Sequence, residues 1–506
     1  MAGRVKRIAN RIIASQRMDM SVTTSKSAVA QVKELWEPAM QARELAQYRQ
    51  AWYDLELGQG GIRPDELPYM PEKAIGEMQK LKRLSPTPWG RMIVNEITQL
   101  LAVDDILLED QAKSAPAYRI WQQNGLDGRQ KPVIQAANIH GQSYNLILPA
   151  IGRYDRKPTA LIRGKSALRM TAFYRDDFDE YPEFAIEVVE QPLNDGTSEW
   201  LISFYDDTYT HRMSTRDLSG EHITYIDNEP HGMGVCPVVR FADLDLEGRA
   251  LGEITPYIPL FRRIDQDTCD RLIVQRYGAF VVRTIAGMDK PSTAEAQRAA
   301  SIALGVGDLL VSPNDKTKFG SIPATPMDGY LKGRDSDIKD LAATSQTPSY
   351  RLLGLGDNIG ADAIQAANES QDRKKADLQR VFGESWEASM RLAGHAMGDT
   401  TVATDFTSSV HWVPRNSESL QTLTQGLATA AVQLEIAPEL LWDRLPDWNR
   451  TKTEQALTLR EQRKQQALDE AVQQQLLAGA LSGGSSGNDN TDQAGAGAPA
   501  GTGSAG

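Results

Sequence analysis

An α+β fold follows from three observations on the sequence. Helical spacing dominates the first third, period-two alternation runs from about Ser143 to Asp243, and long helical runs return from Glu253. Helices first, then a mostly antiparallel sheet, make a mixed body rather than an alternating βαβ one. The 506 residues suffice for several domains or for one elongated, multi-part subunit.

The chain opens on a basic, acid-free stretch, residues 1–18, with Val5, Ile8 and Ile12 at helical spacing. It reads as a helical arm, loose or packed on a neighbouring subunit, rather than a transit peptide or membrane-surface helix. Residues 21–27 read as a linker. A helix is predicted over Val32–Leu57, with Leu35, Met40, Leu45 and Tyr48 on one face and a glycine-rich stop at 58–61. A second covers Trp89–Leu101 and passes into an extended segment. A third covers Ala115–Asn124, stopped by Gly125, and Lys131–Gly141 is helical too. Strands follow at about 143–151, 160–176, 182–191, 199–207, 222–228 and 235–243, each bounded by turn residues.

Glu253–Phe280 has Ile254, Tyr257, Phe261, Ile264, Thr268 and Leu272 at spacings of three and four, with Pro256 in its first turn, where a missing N–H costs least. Then come a strand at 280–285, a helix at 293–304, a strand at 308–312, an extended segment at 320–326 and a helix over Met327–Ser345 ended by Pro348. A glycine-punctuated loop with the apolar cluster Leu352, Leu353 and Leu355 leads into a long helix, 361–397, whose apolar line is Leu378, Phe382, Trp386, Met390, Ala393 and Met397. A strand at 409–414 and helices at 417–434, 437–445 and 452–477 complete the pattern. The Gly/Ser/Ala-rich end from 479 lacks groups to bury and is predicted to be disordered.

Net charge is −12, against the phosphate neutralisation that tight non-specific DNA binding requires, yet compatible with a surface over which DNA slides. Cys236 and Cys269 are the only cysteines, too few for a disulfide framework or a zinc site, and no apolar run is long enough for a membrane span. Enzyme motifs fail on inspection. Arg163–Ser166 resembles the end of a phosphate loop, but Thr159 stands where glycine is needed. Residues 354–360 are one residue out of register with a dinucleotide fingerprint. The acidic residues Asp176, Asp177, Asp179 and Glu180 lack calcium-loop spacing and read as a solvated turn. No catalytic residue, cofactor or metal is expected.

The order of these elements resembles that of tailed-bacteriophage portal proteins, the head-to-tail connectors, and most closely those of phages infecting actinobacteria. The residues that carry the likeness are 88–105, 117–130, 137–149, 252–272 and 347–397 (the last holding VFGESWEASMRLA). The resemblance implies an arm and linker at 1–27, an α/β wing at 28–252, a first stem helix at 253–280 and a small α/β clip at 281–326. A second stem helix at 327–347, a tunnel loop at 348–362, a long wing helix with its return strand at 363–415, a helical crown at 416–478 and the tail would follow. It implies a homo-oligomeric ring of twelve subunits at one capsid vertex, assembled in the host bacterial cytoplasm and carried in the virion. Double-stranded DNA would pass through its channel, with the large terminase, a head–tail adaptor, and the major capsid and scaffolding proteins as partners, and no membrane. Tyr350, Arg351, Leu352, Leu353, Gly354, Leu355, Gly356, Asp357 and Asn358 would form the DNA-facing tunnel loop, the glycines permitting a change of shape. Lys332, Arg334 and Lys339 are candidate channel charges, set against the plainer reading of a solvated face paired with Asp335, Asp337 and Asp340. Arg262, Arg263, Arg271 and Arg276 fit ion pairs between subunits. Two other readings stay open: a metal-dependent nucleic-acid enzyme, and a capsid-associated scaffold without a channel.

Overall fold

A computed structural model describes residues 25–55, 72–107, 114–152, 156–194, 196–278, 282–286, 318–322, 326–354, 361–413, 420–445 and 450–482. The chain divides into two units, Met1–Glu418 and Ser419–Gly506. The first begins with α1 (Ser25–Asp54), α2 (Glu72–Leu84), α3 (Trp89–Thr98), strand β1 (Val103–Leu107), α4 (Ser114–Gln123) and α5 (Leu126–His140). Helix α1 starts inside the stretch read as a linker, and α2 was not anticipated. Gly125 does stop α4; its left-handed backbone, φ 60°, also opens α5 one residue later.

Two antiparallel sheets follow. Strands β2 (Gln142–Ile151), β3 (Pro158–Ser166) and β9 (Val238–Ala242) form a three-stranded sheet with β2 in the centre. Strands β4 (Met170–Phe173), β5 (Phe184–Pro192), β6 (Ser198–Tyr205), β7 (Tyr209–Thr215) and β8 (Thr224–Pro230) form a five-stranded meander in chain order. The stretch read as one strand at 160–176 is therefore two, β3 and β4. Strand β7 escaped the sequence because its buried positions are largely polar. His211 is fully buried, its Nε2 3.1 Å from Asp206 Oδ2 and its Nδ1 3.2 Å from the Tyr225 hydroxyl, so it satisfies in hydrogen bonds what the apolar pattern lacks. Helix α1 lies on the meander through Ala28, Val32 and Trp36, which pack with Phe184, Ile186 and Phe204.

Next come a 3₁₀ turn (Thr255–Tyr257), α6 (Ile258–Gly278), β10 (Val282–Ala286), β11 (Lys318–Ile322), α7 (Asp328–Ser345), α8 (Ser349–Leu353), α9 (Ala361–Met397), α10 (Thr400–Ala403) and β12 (Ser409–Trp412). The helix expected from Glu253 starts five residues later, and Pro256 sits in the 3₁₀ turn before it. The helix and strand expected at 293–312 lie outside the described residues, as do the arm before Ser25 and the tail after Ser482.

The 37 residues of α9 organise the core. Its stripe of Leu378, Phe382, Trp386 and Met390 packs against the three-stranded sheet, α4 and α5. Trp386 meets Phe241 edge-on with ring centroids 4.8 Å apart and Trp121 at 5.1 Å. Strand β12 then returns to pair antiparallel with β1.

The second unit contains α11 (Leu420–Gln433), a 3₁₀ segment (Pro438–Arg444) and α12 (Arg450–Ser482). The 3₁₀ segment replaces the helix expected at 437–445. Helix α12 runs to Ser482, past the point where the disordered tail was expected to begin.

Candidate functional site

Helices α6 and α7 form an antiparallel pair. The Arg263 guanidinium bridges Asp337 at 2.9 Å and Asp340 at 2.8 Å, while Phe261 and Ile264 pack with Ile338 and Leu341. Beyond these contacts the chain continues from α6 into β10, which pairs antiparallel with β11 ahead of α7. The helix pair is apolar against the body and charged elsewhere, because only one flank of each helix finds Trp52, Trp89 and Ile93 to pack on.

Arg262, Arg263 and Arg276, read as contacts between subunits, all find partners within the chain. Arg262 lies over the Trp52 ring, Arg263 bridges the two aspartates, and Arg276 pairs with Glu77 at 3.2 Å. Asp337 and Asp340 therefore pair across the helices rather than along α7. Burial, and then the neighbouring Asp337 carboxyl, push Asp267 above the usual carboxylate range. Asp265, buried on the body side of α6, is pushed up to about 7 by burial, opposed by the Thr87 N–H it accepts at 3.2 Å.

The three candidate channel charges separate into two sets. Lys332 and Lys339 are exposed and seven residues apart, so they share one outward face of α7. Neither has an ion pair among the described residues. Arg334 is turned to the body, half-buried, with its guanidinium 5.9 Å from the Trp89 ring centre and 3.9 Å from Asp335.

The segment read as a tunnel loop also divides. Residues Ser349–Leu353 are a short helix, so the expectation of a loop fails for Tyr350, Arg351, Leu352 and Leu353. Leu352 is buried with Trp89, Ile93 and Leu341, and Leu353 packs against the same cluster. The Tyr350 hydroxyl donates to Asn368 Oδ1 on α9 at 3.0 Å, and Arg351 forms an ion pair with Glu96 on α3. Gly354 ends the helix in the left-handed conformation, φ 68°, a standard use of glycine. Leu355, Gly356, Asp357 and Asn358 lie outside the described residues. Nearby, Lys374 of α9 pairs with Glu253 and donates to the Ser345 carbonyl at 3.0 Å, tying the approach to α6 to the end of α7. Sequence reasoning did not find Glu96, Asn368 or Lys374, since nothing local marks a partner so distant along the chain.

The acidic turn uses Asp176 and Asp179 locally and Glu180 across the fold. Asp176 accepts the Phe178 N–H at 3.0 Å, Asp179 accepts the Asp176 N–H at 3.0 Å, and Glu180 pairs with Arg391 at 2.8 Å. Among the described residues no group of three or more His, Cys, Asp or Glu side chains could hold a metal, and no helix is long and apolar enough to cross a membrane.

Among solved structures, the neck of an empty GTA particle matches 76% of this chain and 94% of its own at 10% identity, with a TM-score of 0.41. The neck of a native GTA particle matches 78% and 99% at 11% identity, with a TM-score of 0.43. The portal protein of Mycobacterium phage D29 is 27% identical over 346 residues, covering 65% of this chain and 68% of its own. That of Mycobacterium phage L5 is 25% identical over 397 residues, covering 74% and 78%. The family described as "Phage portal protein, SPP1 Gp6-like" matches residues 73–468, from α2 to well inside α12. With that span matched, the chain belongs to the phage portal protein family.

Proposed function

We propose that the protein forms a closed ring, of twelve subunits, at one capsid vertex and acts as the conduit for double-stranded DNA in packaging and ejection. The family match over residues 73–468 carries this reading. The antiparallel pair α6–α7 supports it: this pair runs out to the β10–β11 ribbon at one end and joins α8 and the long α9 at the other. On this reading 28–252 is the wing, α6 and α7 the stem, 281–326 the clip that meets the large terminase and later the head–tail adaptor, and 416–478 the crown. Residues 355–360 are then the DNA-facing part of the tunnel loop, and Lys332 and Lys339 the charges able to form rings in the channel. The major capsid and scaffolding proteins surround the ring, which is built in the bacterial cytoplasm and retained in the virion. The subunit carries out no covalent chemistry, and energy for DNA movement comes from the terminase.

Native mass of the purified protein, with negative-stain images of the same sample, tests this. Twelve copies of 55.8 kDa give roughly 670 kDa, with a central hole in the images. Open filaments, or a monomer that stays one in the presence of capsid and scaffolding proteins, would overturn the ring.

A further inference from the structure

We infer that the Arg351–Glu96 pair is a latch that docks α8 on the body, making Arg351 a positioning residue rather than a DNA contact. Five residues are too few for a helix to hold itself, because forming the first turn fixes several dihedrals for a single hydrogen bond. The conformation of α8 therefore depends on what it touches. Leu352 anchors it in the cluster with Trp89 and Ile93, and two polar bonds tie it to two other helices. Glu96 on α3 holds Arg351, and Asn368, itself buried on α9, takes the Tyr350 hydroxyl at 3.0 Å. Arg351 Nε also donates to the Tyr350 hydroxyl at 3.3 Å, so Glu96, Arg351, Tyr350 and Asn368 form one chain across three helices.

The pair is partly shielded, with 34% and 27% of the two side chains exposed, so solvent and salt weaken it less than a surface pair. To reach a phosphate, Arg351 would have to leave Glu96 with an unpaired charge beside the Leu352 cluster. Gly354 follows at once in its left-handed turn, so the docking of α8 sets where the chain sets off towards 355–360. Only the destination of that segment rests on the portal reading; the latch does not.

Hydrogen exchange of the α8 amides in the purified full-length chain, without DNA, tests the inference. The variants are E96Q, R351Q and the reversed pair E96R/R351E. Each single substitution is expected to speed exchange of the 351–354 amides roughly tenfold while the global melting midpoint stays within a few degrees, since local opening precedes global unfolding. The reversed pair should restore slow exchange. R351Q should bind a double-stranded oligonucleotide as the parent does, across a salt series. Unchanged exchange in both single variants, failure of the reversed pair to restore protection, or weakened DNA binding by R351Q with α8 still protected would each overturn the latch. None of these results depends on ring formation, so failure of the portal reading would appear in the native mass and leave this measurement intact.

Discussion

Asp265 shows how one buried carboxyl can make stability depend on pH. Its folded-state pKa, about 7, stands well above the ordinary carboxylate value, so the folded protein keeps a proton that the unfolded chain has released. Stability from this group is fully present below about pH 4 and falls as pH rises to about 7, by up to about 1.4 kcal/mol per unit. Asp265→Asn keeps an acceptor for the Thr87 N–H and removes the titration. The loss of stability between pH 5 and pH 8, measured by urea unfolding, is expected to be smaller in the variant than in the parent. Trp386 gives a second prediction. It is fully buried against Trp121 and Phe241, and its indole N–H has no hydrogen-bond partner among the described residues. Trp386→Ala should cost about 3–5 kcal/mol, and Trp386→Phe clearly less, because Phe leaves no buried donor unmet. The role of Trp386 as core was legible, since it recurs at helical spacing with Phe382 and Met390. The burial of Leu352 was not, because five residues show too little period to separate a docked helix from an apolar loop.

At the scale of elements, legibility follows the strength of the repeating pattern. Helix α9 was read with its observed bounds because its stripe repeats over many turns. Strand β7 and helix α2 were missed: β7 buries polar groups, and α2, on the described part of its face, buries Met78 and Lys82, whose aliphatic stem packs inside while its charge hides the apolar pattern in the sequence. The pairing of α6 with α7 was visible only as two amphipathic helices; the Arg263 bridge joining them was not. Arg263 faces Asp337 and Asp340, with Asp267 bonded to Asp337 alongside, so Arg263→Ala leaves like charges crowded in the seam. Because Arg263 is about half exposed, the expected loss is about 1 kcal/mol at low salt, shrinking towards zero in 1 M sodium chloride. Equal losses at both salt concentrations would assign the bridge a packing role instead.

At the scale of the whole molecule, the order of elements was the most legible feature, and it was the order that resembled a portal subunit. What order cannot give is which part of a segment is anchored. The burial of Leu352 restricts any test of DNA contact to residues beyond Gly354. Deleting Leu355–Asn358, with a Gly-Ser bridge to preserve reach, is expected to leave the native mass unchanged while reducing the DNA retained in particles. Particles with a normal DNA content would remove the loop from the conduit.

The pairing of β1 with β12 has a consequence for the birth of the chain. Leu107 pairs with Ser409, roughly 300 residues later. At a ribosomal pace of 5–20 residues per second, β1 waits about 15–60 s for its partner strand; Trp121 waits nearly as long for Trp386, and Phe241 about half as long. A nascent portal chain thus carries an open sheet edge and bare aromatic surface through most of its synthesis. Chains cut short before α9 cannot close either one, so premature termination products are expected to aggregate more readily than the full chain.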